Sequence, residues 1–176
     1  MRILILIDRF LPEERANAQL YYELARGLVG RGHEVGVVTK MPSGYVPTGP
    51  GNHSVGRPPA QERLDGIDVI RIQGLSSLSR ALWIRAADQL MAGVTFTLAA
   101  RRWRGADIVL IYSPPLTLAV AGWLYQKWLG ARYVLNLHDI YPQTLIDLGL
   151  LKNRVLIRLA EALEAMAYRK AARIVV

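Results

Sequence analysis

Apolar runs and amphipathic stretches alternate along this chain, and the alternation predicts repeated strand–helix units. Arg2 to Ile7 is read as a buried strand, its apolar run unbroken from Ile3 to Ile7 as burial on both faces requires. Ala18 to Val29 then carries apolar residues at helical spacing, with Leu20, Leu24 and Leu28 on one face and Asn17 as its expected N-cap. Gly30 and Gly32 stop that helix, and Glu34 to Thr39 forms a second strand. Gly66 opens a third, Ile67 to Ile72, followed by one long helix from Leu78 to Trp103 with an interruption near Gly93. Asp107 to Ile111 is the fourth strand, Ser113-Pro114-Pro115 a turn, and Leu116 to Leu129 a helix. Arg132 to Leu137 is the fifth strand. Leu151 to Ala172 is helical again, with a core stripe expected at Val155, Leu159, Leu163 and Met166. Arg173 to Val176 begins a sixth strand, and a chain that stops inside a buried strand is expected to be the N-terminal piece of a longer protein.

One segment breaks the alternation. Met41 to Glu62 carries Pro42, Gly44, Pro47, Gly49-Pro50-Gly51, Gly56 and Pro58-Pro59, which rules out a helix or a central strand. A loop of that length is commonly functional or disordered. Otherwise the βα repeats predict an α/β fold with a doubly wound, mostly parallel, Rossmann-like sheet. No internal repeat of solenoid length is present.

Composition narrows the class. A chain of 176 residues, 52% hydrophobic and 20% charged, is one globular domain. It has no cysteine, so disulfides and thiolate metal sites are excluded. The apolar start ends at Asp8-Arg9, too soon for a secretory signal, and Pro114-Pro115 interrupts the uncharged run from Ile108 to Gln126. No transmembrane helix is expected. The net charge of +8 is uneven: +2 in the first 88 residues and +6 in the last 88. A basic half fits phosphate groups or a membrane surface as partner, with ordinary solubility charge as the alternative.

In open α/β sheets ligands bind outside the carboxyl ends of the strands. His138-Asp139 stands at such an end, after Tyr133 to Leu137, so an imidazole and a carboxylate lie where catalysis or binding is expected. The alternative is that Asp139 caps the next turn and His138 is a satisfied crevice residue. The first strand-to-helix turn, Asp8 to Asn17, lacks the G-x-G-x-x-G of dinucleotide sites, and no P-loop or G-x-S-x-G elbow occurs. Around the helix start it holds two guanidiniums, Arg9 and Arg15, beside the carboxylates Glu13 and Glu14 instead. Arg9 and Arg15 could clamp an anion and Glu13 could hold sugar hydroxyls, or the loop could be solvated pairs worth little. His33, His53 and His138 lack zinc-site spacing, so no metal ligand is expected.

Six ordered motifs carry a resemblance. Leu28-Val29-Gly30-Arg31-Gly32-His33-Glu34-Val35 is similar to the "L-x-x-x-G-H-E-V" signature of family-four glycosyltransferases. Met41-Pro42 through Gly49 resembles that family's proline-tyrosine loop, and Gly66 to Arg71 its "G-V-x-V-x-R" strand. Asp107-Ile108-Val109 with Ser113-Pro114-Pro115 resembles "P-D-V-V…S-P-P". His138 to Gln143 resembles the "D-L-W-P-E" box of a bacterial polysaccharide subgroup, and Arg169 to Val176 resembles "R-x-A-D-x-I-V-V". Two positions depart: Arg15-Ala16-Asn17 replaces a frequent Gly-Gly pair, and Arg173 stands where Asp is usual.

The resemblance implies a GT-B fold, two Rossmann-like domains around a cleft. Residues 1–176 would be the N-terminal, acceptor-binding domain. The C-terminal donor-binding domain, with its "E-x-seven-E" carboxylates, would be absent from this chain, and the chain alone inactive. Implied partners are a nucleotide-sugar donor and a sugar or lipid-linked acceptor, with no cofactor, no metal and no nucleic acid. The expected catalytic residues are His138 and Asp139; the expected substrate-binding residues are Arg9, Glu13, Arg15, Asn17, Ser113, Tyr141 and Gln143. His33, between a helix stop and a strand, is read as structural. Competing readings are a non-catalytic Rossmann-like binding module and half of a GT-B-type sugar-nucleotide epimerase. Finally, the Leu78 to Trp103 helix is apolar beyond one buried face. Arg80, Trp83, Arg85, Arg101, Arg102, Trp103 and Arg104 around it suit an anionic bilayer, or simply a core helix with solvated arginines. The expected location is cytoplasmic, with peripheral contact at the inner face of the cell membrane.

Overall fold

The computed structural model describes residues 1–42, 60–74 and 82–176, and within 82–86 only the side chain of residue 84. The expected loop over 43–59 with His53, the helix start over 78–81, and the side chains of Arg80, Trp83 and Arg85 therefore lie outside the described residues.

Among the described residues seven strands form one sheet. They are β1 (Arg2–Leu6), β2 (Glu34–Lys40), β3 (Ala60–Leu64), β4 (Ile67–Ile72), β5 (Ile108–Ser113), β6 (Arg132–Leu137) and β7 (Arg173–Val175), ordered β3-β4-β2-β1-β5-β6-β7. All neighbours are parallel except β3 against β4. β1 is central and buried from Ile3 to Leu6, as its unbroken apolar run requires. Each such Leu or Ile contributes about 1.5–3 kcal/mol by leaving water.

Helix α1 (Ala16–Gly30) covers one face, setting Tyr21 and Ala25 against Ile3, Ile5, Val35 and Val37. On the other face lie α2 (Leu82–Ala100), α3 (Leu118–Leu129) and part of α5 (Arg154–Lys170). Phe96, Tyr125, Tyr133 and Ala167 share that second core. A short α4 (Gln143–Asp147), which the hydrophobic pattern does not show, precedes α5.

Several expectations are corrected. The α1 face against the sheet is Ala18, Tyr21 and Ala25, while Leu20 and Leu24 are exposed. Its N-cap is Arg15, without a capping side chain, and not Asn17. Gly93 does not interrupt α2. A Cβ there would lie 2.9 Å from the Val120 Cβ and 3.0 Å from the Thr117 carbonyl, so this glycine lets α2 and α3 close on each other. The end of the expected Met41 to Glu62 loop is instead the edge strand β3. Its hairpin to β4 turns on Asp65-Gly66, both at positive φ (47° and 84°), the pairing a two-residue hairpin favours. In α5, which starts after an Asn153 cap accepting from the Val155 and Leu156 N–H groups, the expected core residues Val155 and Leu159 are exposed.

Candidate functional site

The carboxyl ends of β1, β5 and β6 open onto one crevice. The β1–α1 loop supplies Arg9, Arg15 and Asn17, and the β5–α3 turn supplies Tyr112 and Pro114. Together with Ala16 these line an open cleft of about 510 Å³. From β6, the chain delivers His138 to the same edge. Its N–H donates to the Ser113 carbonyl at 3.0 Å, continuing the parallel β5–β6 ladder by one residue. The exposed imidazole stacks on Tyr112, with ring centroids 4.8 Å apart and planes tilted by 37°.

Tyr112 is the hub of this crevice. Tyr21 meets it edge-on at 5.3 Å, and the Asn17 side chain hydrogen-bonds its hydroxyl. Burial raises the Tyr112 pKa against the opposing effect of that bond. Behind it, Asn136 Nδ2 donates to the Tyr21 hydroxyl at 2.7 Å, and burial pushes Tyr21 up to about 12. Both phenols therefore stay neutral at ordinary pH. Tyr112, Tyr21 and Asn136 were not singled out from sequence, where an apolar strand and helix face was their only visible signal.

The two loop arginines differ. Arg9 Nη1 donates to both Glu13 oxygens at 2.7 and 3.0 Å, and its Nε lies 3.7 Å from Asp8. Burial lowers its pKa, but the Glu13 bond and the charges of Glu13, Asp8 and Asp88 outweigh this and raise it. Arg15 reaches Glu13 only at 3.6 Å, with its side chain 61% exposed. Glu14 and Arg15 both face solvent, and among the described residues they form no ion pair with each other. Of the two, Arg15 is the cation open to a ligand, and Glu13 is already occupied by guanidinium.

Beneath the loop lies an ionic frame invisible in the sequence pattern. Lys40, at the end of β2, sits 2.6 Å from Asp8 and 2.8 Å from Asp88 of α2, with all three side chains largely buried. Arg71 of β4, 2% exposed, donates from Nε to Glu62 of β3 at 2.6 Å and from Nη2 to the Leu11 carbonyl. Buried cations require such partners. Here they tie the edge hairpin and α2 to the loop that carries Arg9 and Arg15.

The remaining expected residues separate. Ser113 is fully buried and its carbonyl accepts from the His138 N–H, while its hydroxyl is buried without a hydrogen-bond partner among the described residues. Asp139 is exposed beside His138; Tyr141 is half-buried and Gln143 donates to Asp147 at 2.6 Å, and, like His138 itself, neither lines the 510 Å³ cleft, which His138 adjoins only through Tyr112. At the opposite, amino edge of the sheet stand Arg101, Arg102 and Arg104, all exposed, with Arg101 over the Trp128 ring at 5.7 Å. Trp103 corrects the membrane expectation. It is 7% exposed, its indole N–H points to Asp68 at 3.4 Å, and it packs on Gly36, so it cannot meet a bilayer. His33, as expected, sits outside the crevice, 3.4 Å from the N-terminal amine. No described helix is long and apolar enough to cross a membrane.

Comparison with known proteins gives both a sequence and a fold likeness. The model of a family described as glycosyl transferase 4-like domain matches residues 18–176. No curated protein matches the chain. Among solved structures, sucrose-phosphate synthase from Thermosynechococcus elongatus superposes with a TM-score of 0.68 at 11% identity, over 99% of this chain and 42% of that one. The catalytic domain of starch synthase IV from Arabidopsis thaliana, bound to ADP and acarbose, gives 0.52 at 17% identity, over 78% of this chain and 34% of that one. The α,α-trehalose 6-phosphate synthase of Burkholderia multivorans gives 0.50 at 13% identity, over 92% and 36%. At these identities the likeness is one of fold, the Rossmann-like sheet of GT-B glycosyltransferases. The chain spans less than half the length of each of these neighbours.

Proposed function

The chain belongs to the glycosyl transferase 4-like domain family, and from that premise we propose that it is the acceptor-binding domain of a glycosyltransferase. The donor, a nucleotide sugar, is held mainly by a second domain across the crevice. The acceptor is a growing saccharide, polysaccharide or lipid-linked, and the enzyme works at the cytoplasmic face of a membrane. The observation that carries this reading is the grouping of Arg15, Asn17, Tyr112 and His138 at one carboxyl edge in a chain of this family.

The chemistry assigns roles to these side chains. The acceptor hydroxyl oxygen bonds to the anomeric carbon of the donor, the bond from that carbon to the nucleoside diphosphate breaks, and the hydroxyl proton passes to a base. His138 is an exposed imidazole held on an aromatic platform, with Asp139 beside it. These two hold the acceptor hydroxyl and receive its proton. Arg15 meets an anionic group of donor or acceptor, and a phosphate suits its planar fork. Tyr112 and Asn17 shape the wall against which a sugar ring lies.

The test is sugar transfer by the full-length enzyme. Given a panel of nucleotide sugars and a lipid-linked saccharide extract, it should release nucleoside diphosphate and extend the acceptor. Residues 1–176 alone should release none, because half a cleft neither holds the donor nor excludes water. A full-length protein that consumes no donor overturns the reading in favour of a binding module. Turnover by residues 1–176 alone overturns the division of labour between two domains.

A further inference from the structure

We propose that the segment from Ile140 to Leu159, comprising α4 and the first half of α5, is the surface by which this domain docks on an anionic lipid bilayer. The inference rests on the reading above for its biological setting, but its support is geometric. Ile140, Leu148, Leu150, Val155, Leu156 and Leu159 are each 52–72% exposed. Six large apolar side chains in 20 residues of surface need an occupant.

The reason for their exposure lies in the reach of α5. The helix has 17 residues, about 25 Å, whereas the six residues of β6 span only about 20 Å. Its C-terminal half is anchored: Ala167 is buried, and its carbonyl accepts from the Tyr133 hydroxyl at 2.7 Å. Just beyond, the Ala172 N–H donates to the Tyr133 carbonyl at the amino end of β6. Running back from there, the first turns of α5 reach the carboxyl edge of the sheet and outrun it. They therefore flank the crevice that holds His138, two residues before Ile140.

Charge selects the occupant. Lys152, Arg154 and Arg158 are exposed among these apolar residues, and among the described residues none of them has an ion-pair partner. Residues 140–160 contain a single acid, Asp147, which already accepts from Gln143. A second copy of this chain would bring the same three cations against one another, and a protein face without matching acids would have to desolvate them to cover the leucines. A bilayer with anionic headgroups takes the leucines into its acyl boundary and pairs the cations in one plane. This surface is distinct from the Arg101–Arg104 cluster, which lies at the amino edge. It would set a lipid-linked acceptor beside the crevice.

Co-sedimentation of the full-length protein with vesicles tests the proposal, needs neither donor nor acceptor, and shows no binding if a second domain covers this face. Binding is expected to phosphatidylglycerol–phosphatidylcholine vesicles at low salt and not to phosphatidylcholine alone. The pairs Leu156→Glu/Leu159→Glu and Arg154→Glu/Arg158→Glu should each lower partitioning at least tenfold, since one basic residue is worth about fivefold. Leu90→Glu/Leu98→Glu on the exposed side of α2 should change it less than twofold. Should the glutamate pair on α5 fail to fold, Leu156→Asn/Leu159→Asn carries the same test. Four results overturn the proposal: no binding to anionic vesicles, binding indifferent to lipid charge, α5 variants that bind like wild type, or a solution dimer that these variants dissolve. Vesicle binding by a protein that transfers no sugar would sink the glycosyltransferase reading and leave this one standing.

Discussion

The His138 ring lies 4.8 Å from that of Tyr112, tilted by 37°, while the His138 N–H is held 3.0 Å from the Ser113 carbonyl. Neighbouring strands thus fix both the backbone and the ring of one exposed imidazole. Its exposure means that little packing is lost on truncation, so His138→Ala should leave the melting temperature of the domain within a few degrees. In the full-length enzyme the same change should lower turnover by roughly tenfold to a thousandfold. Steady-state kinetics beside thermal melts check this. Unchanged turnover would return His138 to a merely satisfied crevice residue.

Alkaline pH should weaken the fold through its buried tyrosines. Burial pushes Tyr21 and Tyr133 up to about 12, against about 10 in an unfolded chain. Between those values the unfolded chain has released protons that the native state keeps. The stabilisation is therefore complete below pH 10 and is lost as pH rises toward 12. Tyr133→Phe should cost about 1 kcal/mol at pH 8, for the bond to the Ala167 carbonyl, and should fall less steeply above pH 10. Urea midpoints from pH 8 to 12 for both proteins give the comparison, and parallel curves would refute it.

Gly36 and Trp103 share one place in the core. A Cβ at Gly36 would come within 2.6 Å of the indole, which the Arg2 guanidinium covers at 4.7 Å. Gly36→Ala should cost about 1–3 kcal/mol by overpacking. Gly27→Ala, on exposed α1 where no atom lies within 4 Å, should instead stabilise by about 0.5–1 kcal/mol. Urea denaturation reads both, and equal signs would mean that helix and strand propensity, not the indole, decides.

Strands rich in apolar residues were legible in sequence because burial on both faces favours that composition. β1, β2, β4 and β6 fall within about a residue of expectation. β3 escaped because the proline and glycine density before it masked Asp65-Gly66, a strong local hairpin signal on its own. On α1, side-chain size misled. Leu20 and Leu24 are the larger apolar residues, yet the helix approaches the sheet closely enough that Ala18 and Ala25 face it. In α5 the periodicity was correct and its meaning was not, since periodicity states which residues share a face but not how far a helix outruns its sheet. The cleft address of Arg9, Arg15 and Asn17, and the place of His138 against Tyr112 at the same edge, followed from topology. The Lys40–Asp8–Asp88 and Arg71–Glu62 contacts join residues from separate elements, which local pattern does not encode.

The contrast between the two loop arginines makes the sharpest test of the crevice. Arg9 is committed to Glu13 through two hydrogen bonds, and that carboxylate is only 15% exposed. Arg9→Gln leaves it without its main partner, a loss of about 1 kcal/mol once solvent screening is allowed for, and it loosens the loop. Arg15 has a single 3.6 Å approach to the same carboxylate and an exposed guanidinium. Arg15→Gln should therefore change stability by less than about 0.5 kcal/mol. If Arg15 meets an anionic substrate group, losing one charge-assisted contact of about 1.5–3 kcal/mol should raise KM for that substrate by roughly ten- to a hundredfold, with kcat changed little. Arg9→Gln should show the reverse order, with the larger effect on the melt and the smaller on KM. Denaturation and steady-state kinetics of the two variants in the full-length enzyme separate the cases. A KM for every substrate that stays at the wild-type value in Arg15→Gln would remove Arg15 from the binding site.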